Sequence, residues 1–162
     1  MSPPRGQANE VSELQQTCTA LRTSALWDQL FSAPTLENFL DHNESEIHLP
    51  PFPEYINTLC RECGKYPAQV IKLAGIERAF GYQIFRGDRK PSRDTVLMLA
   101  FGFEANVETA QRLLKHARHS LLYPRVRRDV VIAYGLCRGM SLTHTQIALA
   151  ELELPAIGAM PK

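Results

Sequence analysis

The chain is predicted to be all-α, and three observations predict it. Apolar residues recur at i, i+3 and i+4 spacings along most of the sequence, which lines them up on one side of a helix. Alternating β-branched runs bounded by turns, the mark of strands, are essentially missing. Ser, Thr or Asn repeatedly precedes such an apolar segment and Gly repeatedly closes it, as helix starts and stops require. Three regions are expected: an acidic N-terminal arm over 1–50, partly disordered and with short helices; a helical domain over 51–120; and a C-terminal helical extension over 121–162, possible as a dimerising element.

Residues 1–12 are polar, with Pro3, Pro4 and Gly6, and are expected to be unstructured. Leu14, Leu21, Leu26, Trp27, Leu30 and Phe31 fit a moderately amphipathic helix over 12–31 that ends near Pro34. Thr35 is an N-cap candidate for a short helix over 35–40. Residues 41–53 are acidic and carry Pro50, Pro51 and Pro53, as a linker would. The first helix of the main domain begins at Pro53-Glu54, turns Tyr55, Ile56, Leu59, Cys60 and Cys63 inward, and is capped by Gly64. A second begins around Pro67 and stops at Gly75. A third covers 77–86, from Glu77 to Arg86, with Gly87 behind it. Ser92 starts a fourth helix with Val96, Leu97, Leu99, Ala100 and Phe103 inward. Asn106 starts a fifth with Ala110, Leu113, Leu114 and Ala117 inward. Past a break at 121–124, a sixth helix over 125–138 offers Val126, Val130, Val131, Ala133, Tyr134 and Cys137 as its buried side. Ser141 caps a seventh, with Leu142, Ile147 and Leu149 inward, and 155–162 reads as a frayed tail.

Composition narrows the function classes. The chain is 44% hydrophobic, enough for a real core. No apolar run is long enough to span a membrane, and MSPPRGQANE has no signal-like apolar centre. A cytoplasmic location is therefore expected. Net charge is +1, but unevenly laid out: −6 over 1–60, +8 over 61–138 and −1 over 139–162. A basic middle behind an acidic leader suits an anionic partner, and equally suits the leader lying against the middle. Cys60-x-x-Cys63 and His116-x-x-His119 have ligand-like spacings, yet both lie within helical segments and a second CxxC is lacking. No metal or cofactor is expected. Nor is an enzyme, since no nucleophile has a recognisable base and no phosphate-cradling Gly loop occurs.

Residues 66–92, YPAQVIKLAGIERAFGYQIFRGDRKPS, place two short helices around a Gly-bearing turn, which is the core of a helix-turn-helix. The run AQVIKLAG, IERAFGYQIF, RGDRKPS, RDTVLMLAFGF resembles the lambda-repressor-like, Cro/cI-type (xenobiotic-response-element type) family of helix-turn-helix DNA-binding domains. The spacing of Gly75, Gly87 and Pro91-Ser92 is its specific part, and it covers about residues 53–117. The resemblance implies a five-helix domain, here with added C-terminal helices, and a transcriptional regulator that binds double-stranded DNA sequence-specifically. Helix 77–86 would then lie in the major groove. It implies base-facing positions for Arg78, Ala79, Tyr82 and Gln83, with Gln suited to adenine and Arg to guanine. It implies phosphate-facing positions for Lys65, Tyr66, Arg86, Arg89, Lys90 and Arg93. N–H groups in the first turn of the second helix would hold a further phosphate.

The chain departs from the family pattern at four positions. Pro67 stands where a Gln is usual, Ile71 where a small residue is usual, Phe85 where an acid is usual, and Gly81 where a buried aliphatic is usual. By helix phase alone, Tyr82 fits either an outward or a core position. Arg118, Arg125, Arg127 and Arg128 form a second basic group that would extend a DNA footprint, meet the acidic leader or simply face solvent. In related regulators such extra C-terminal helices commonly form a homodimer, which would match a palindromic site. The alternative function is a protein-interaction adaptor or antitoxin-like module, with the apolar residues of the N-terminal arm meeting a protein partner.

Overall fold

The structure, a computed structural model, describes residues 24–158. The expectations for residues 1–12, for the start of the 12–31 helix and for 159–162 lie outside the described residues. Those described residues are helical, with no strand among them. They divide into a unit ending at His48 and a unit beginning at Leu49.

In the first unit, residues 24–32 are helical (α1) and Leu36–Asn43 forms α2. Thr35 caps α2 through Oγ1, which accepts the Asn38 N–H at 3.1 Å. Phe39 is buried, whereas Trp27, Phe31, Leu36 and Leu40 are exposed. The Trp27 and Phe31 rings stack on one another, with centroids 5.6 Å apart.

The second unit has seven helices: α3 (Phe52–Cys63), α4 (Pro67–Leu73), α5 (Arg78–Arg86), α6 (Arg93–Gly102), α7 (Val107–His116), α8 (Arg127–Cys137) and α9 (Leu142–Glu151). Their ends follow local chemistry. The hydroxyls of Ser92 and Ser141 and the amide oxygen of Asn106 accept N–H groups from the first turns of α6, α9 and α7. Gly75 and Gly87 take positive φ, which lets the chain leave α4 and α5 sharply.

Most residues expected inward on α3, α6 and α7 are buried (Ile56, Leu59, Cys60, Val96, Leu97, Leu99, Ala100, Phe103, Ala110, Leu113 and Leu114), Tyr55 and Ala117 are half-buried, and α6 buries Phe101 and Gly102 besides. Cys63 differs, being exposed at the end of α3. Phe85, at the position of a usual family acid, is also buried.

Two other departures are one packing event. A Cβ at Gly81 would lie 2.6 Å from Cγ2 and 2.7 Å from Cγ1 of Ile71. Ile71 on α4 thus fills the space that a side chain at 81 on α5 would occupy. Across the α4–α5 contact Ile71 is the large partner and Gly81 the small one, a pairing that fills the space without overlap.

The C-terminal extension is part of the same core. Ile132, Leu136, Leu149 and Ile157 belong to one buried cluster with α3–α7. The sixth-helix face differs from the expected one: Asp129, Ile132, Gly135 and Leu136 point inward, while Val126, Val130, Tyr134 and Cys137 are exposed. The cause is the partners available. A Cβ at Gly135 would come within 2.4 Å of Thr145 Oγ1, so α8 and α9 meet at a glycine. Asp129 is drawn in by Arg93. On α9, Thr145 and Leu149 are fully buried and Ile147 is 50% exposed, again unlike the expectation for Ile147.

Residues 155–158 are not frayed. Gln146 holds Ile157 through both its N–H and its carbonyl, Arg128 donates to the carbonyls of Pro155 and Ala156, and Gly158 N–H reaches Asp94.

Candidate functional site

α5 has a buried side and an outward side, and helical spacing decides which residues share each. Gly81, Ile84 and Phe85 are buried. Arg78, Tyr82 and Arg86 follow i, i+4, i+8 along the other side, with Ala79 and Gln83 beside them. Arg78, Ala79 and Arg86 are exposed, while Tyr82 and Gln83 are half-buried. Tyr82 packs its ring against the core edge, and the Arg78 guanidinium lies over that ring, 5.8 Å from its centroid. Among the described residues the Gln83 side-chain amide has no partner; its backbone carbonyl accepts the N–H groups of Asp88 and Arg89. This outward side carries two arginines and no acid.

Three contacts hold α5 at its ends. Glu77 caps its start, its carboxylate accepting the N–H groups of Ala79 (3.0 Å) and Phe80 (2.8 Å). Those bonds, from Phe80 first and Ala79 second, hold the Glu77 carboxyl below its ordinary range. The α5 N-terminus is thus already occupied by the chain's own carboxylate. At the other end, Asn57 of α3 donates to the Phe85 carbonyl at 2.9 Å and to Pro53 at 2.8 Å. Pro53 in turn lies 3.2 Å from where a Gly87 Cβ would stand. Asn57 is a positioning residue with no sequence signal beyond its place on the half-buried side of α3.

The expected phosphate-facing residues divide into two groups. Tyr66 is 73% exposed at the N-cap of α4. Arg89 and Lys90 are exposed in the turn after α5, and neither side chain makes an ion pair or hydrogen bond among the described residues. Arg86 is exposed and pairs with Asp88 at 2.9 Å, a surface contact that leaves it accessible.

Lys65 and Arg93 form the second group, in which the donors are used inside the molecule. Lys65 donates to Glu104 at 2.6 Å and to the Phe103 carbonyl at 2.9 Å, tying the turn before α4 to the turn after α6. Arg93 donates to both carboxylate oxygens of Asp129 and to the carbonyls of Ser120 and Leu121.

The first turn of α4 offers little to an anion. Pro67 has no N–H, and the Gln69 side chain covers the N–H of Tyr66 at 3.0 Å.

Arg93 belongs to a device the sequence reading missed. α6 begins Arg93-Asp94 and α8 carries Arg128-Asp129, and the two dipeptides pair crosswise. Arg93 meets Asp129 and Arg128 meets Asp94, both at 2.9 Å. The signal was the repeated Arg-Asp dipeptide near two helix starts. Burial works to raise the Asp94 carboxyl, but hydrogen bonds from Arg128 and the Gly158 N–H bring it below its usual value.

The ligand-like Cys and His pairs do not come together as a set. Among the described residues no group of three His, Cys, Asp or Glu is placed to hold a metal ion. Cys60 is buried, and burial pushes its thiol up to about 11. His116 stacks on Tyr55 and bonds the Pro50 carbonyl, while His119 bonds the Pro91 carbonyl. No described helix is long and apolar enough to cross a membrane. Comparison of the chain with protein-family models, with curated proteins and with solved structures found no match.

Proposed function

We propose that this protein is a sequence-specific double-stranded DNA-binding transcriptional regulator that lays α5 in a major groove. The observation that supports it best is the outward side of α5. Among the described residues the side chains of Arg78 and Gln83 have free hydrogen-bonding groups there, no acid stands among them, and the side chains of Arg89 and Lys90 flank them without partners. Gln and Arg are the side chains suited to bidentate reading of adenine and guanine edges. The flanking cations supply sequence-independent attraction to phosphates. Tyr82, held against the core edge, acts more as a platform for Arg78 than as a reader of bases.

The test is selection of genomic fragments bound by the full chain, followed by titration of a recovered fragment. Arg78→Ala and Gln83→Ala are expected to weaken that fragment by about 1–3 kcal/mol each while leaving random DNA nearly unaffected. Equal loss on both DNAs, or none on either, contradicts base reading by α5.

We further propose a homodimer through the outward side of α8, where Val126 and Val130 are each 45% exposed and Tyr134 is 57% exposed. A two-fold dimer would recover palindromic sites. Val130→Asp is expected to leave a monomer in sedimentation analysis, and a wild-type monomer at micromolar concentration, free and on DNA, removes the proposal.

A second reading, a protein-interaction adaptor, is favoured by the first unit. Its exposed Trp27, Phe31, Leu36 and Leu40 form i, i+4 apolar pairs beside Asp28, Glu37 and Asp41. Absence of salt-dependent DNA binding together with a co-purifying protein lost on Trp27→Ala would decide for it.

A further inference from the structure

The basic turn after α5 has a second side. There a cavity of about 510 Å³ opens between the first turn of α3, the turn residues Gly87 to Pro91, and the end of α7 through His119. Arg89, Lys90 and Arg118 all line it. All three are exposed, and none makes a side-chain ion pair or hydrogen bond. The two histidines of the cavity are already engaged. A carbonyl can only accept, so His116 donates from Nδ1 to Pro50 at 2.9 Å and His119 from Nε2 to Pro91 at 2.8 Å. Burial, first of all, lowers the His116 pKa, so its ring is neutral near pH 7. Arg89, Lys90 and Arg118 give the cavity a positive charge.

Arg118 is also an unusual residue for its backbone. Its φ is +59°, in the left-handed region just past the C-cap of α7. Its N–H bonds the Lys115 carbonyl at 3.0 Å, and the His119 N–H bonds Leu114 at 2.9 Å, which closes the helix. Glycine takes this conformation without steric cost. Backbone geometry alone therefore favours Gly at this position, and an arginine there brings a charge to the groove instead. The structure also separates Arg118 from its neighbours in sequence. Arg128 is paired with Asp94, and neither Arg125 nor Arg127 lines the groove.

We propose that Arg118 is a phosphate-binding residue that, with Arg89 and Lys90, holds the DNA backbone beside the segment read by α5. The inference rests on the DNA-binding reading and adds a contact from outside the helix-turn-helix. It is tested by measuring the affinity of the full chain for a bound fragment and for random DNA as salt is varied. Each phosphate contact contributes about 0.9 to the slope of log K against log salt. Arg118→Gly is expected to reduce that slope by about 1 on both DNAs alike. Its thermal midpoint should stay the same or rise, because Gly relieves the left-handed backbone. Arg118→Lys should keep the slope, and Arg125→Ala should not change it.

An unchanged slope for Arg118→Gly on DNA that the wild type binds overturns the proposal. So does a changed slope accompanied by a lower midpoint, which would assign the effect to folding. If the wild type shows no salt-dependent DNA binding, the reading of α5 itself fails and this inference falls with it.

Discussion

The junction of α6 with α8 and the outward side of α5 with its following turn carry the same residue type and use it differently. At the junction, Arg93 and Arg128 donate four hydrogen bonds each, to two carboxylates and to four carbonyls. Their side chains are 23% and 18% exposed. On α5 and its turn, Arg78, Arg89 and Lys90 are exposed and meet no acid. The guanidinium fork suits both roles, because it matches a protein carboxylate as well as a phosphate. What separates the roles is whether an acid is brought within reach by folding. A count of basic residues therefore overstates the charge available to a partner, as Lys65, Arg93 and Arg128 show.

The comparison can be broken at the junction first. Asp129→Ala removes the partner of Arg93 and the acceptor of the Tyr123 N–H, which lies 3.0 Å from Asp129 Oδ2. A buried charge left unpaired costs about 3–5 kcal/mol, and denaturant unfolding should show a loss of that order. A loss under about 1 kcal/mol would mean that Arg93 finds water as readily as it finds Asp129.

The next largest effect lies on the hidden side of α5. Gly81→Ala drives a methyl group into Ile71 and should cost about 1–3 kcal/mol, although Ala is the better helix former. In an Ile71→Ala background the same change should become neutral or stabilising. Additive behaviour of the two substitutions in a double-mutant cycle would show that they do not share one space.

A smaller effect is expected from acid. The folded-state pKa of Asp94 lies below its ordinary value, so its ion pair contributes stability that is present above about pH 4. That contribution is lost as pH falls through the folded value. Asp94→Asn should be less stable than wild type near neutrality, and the gap should narrow in strongly acidic buffer. A gap that stays constant with pH would assign the loss to packing.

The smallest effect belongs to the exposed group. Arg89→Ala should change unfolding free energy by no more than about 0.5 kcal/mol, as for surface residues without partners. A larger loss would mean that Arg89 is structural, like Arg93, and would erase the contrast between the two regions.

Helix starts and stops could be read from residues alone, because a cap is made within three or four positions of the chain. Thr35, Ser92, Asn106 and Ser141 accept their own first-turn N–H groups, and Gly64, Gly75, Gly87 and Gly139 take positive φ where the helices end. The inner sides of α3 and α7 were legible for a similar reason, since each has one apolar stripe, whereas α6 also buries Phe101 and Gly102 outside the expected side. For α8 the periodicity pointed to the side that the structure leaves exposed. Val126, Val130 and Tyr134 look more apolar than a side containing Asp129 and Gly135, yet the latter is buried. Its residues have partners distant in sequence: Arg93 for Asp129 and Thr145 for Gly135.

The same holds for the candidate site. The family resemblance implied that Arg78, Ala79, Tyr82 and Gln83 share one side of a helix. It could not tell that Lys65 would be taken by Glu104, that Ile71 would fill the place beside Gly81, or that Arg118 would join Arg89 and Lys90 in a groove. Those outcomes depend on which distant side chains become neighbours. Local hydrogen bonds decide helix boundaries, but only tertiary packing decides which charges remain unpaired and which space is already filled.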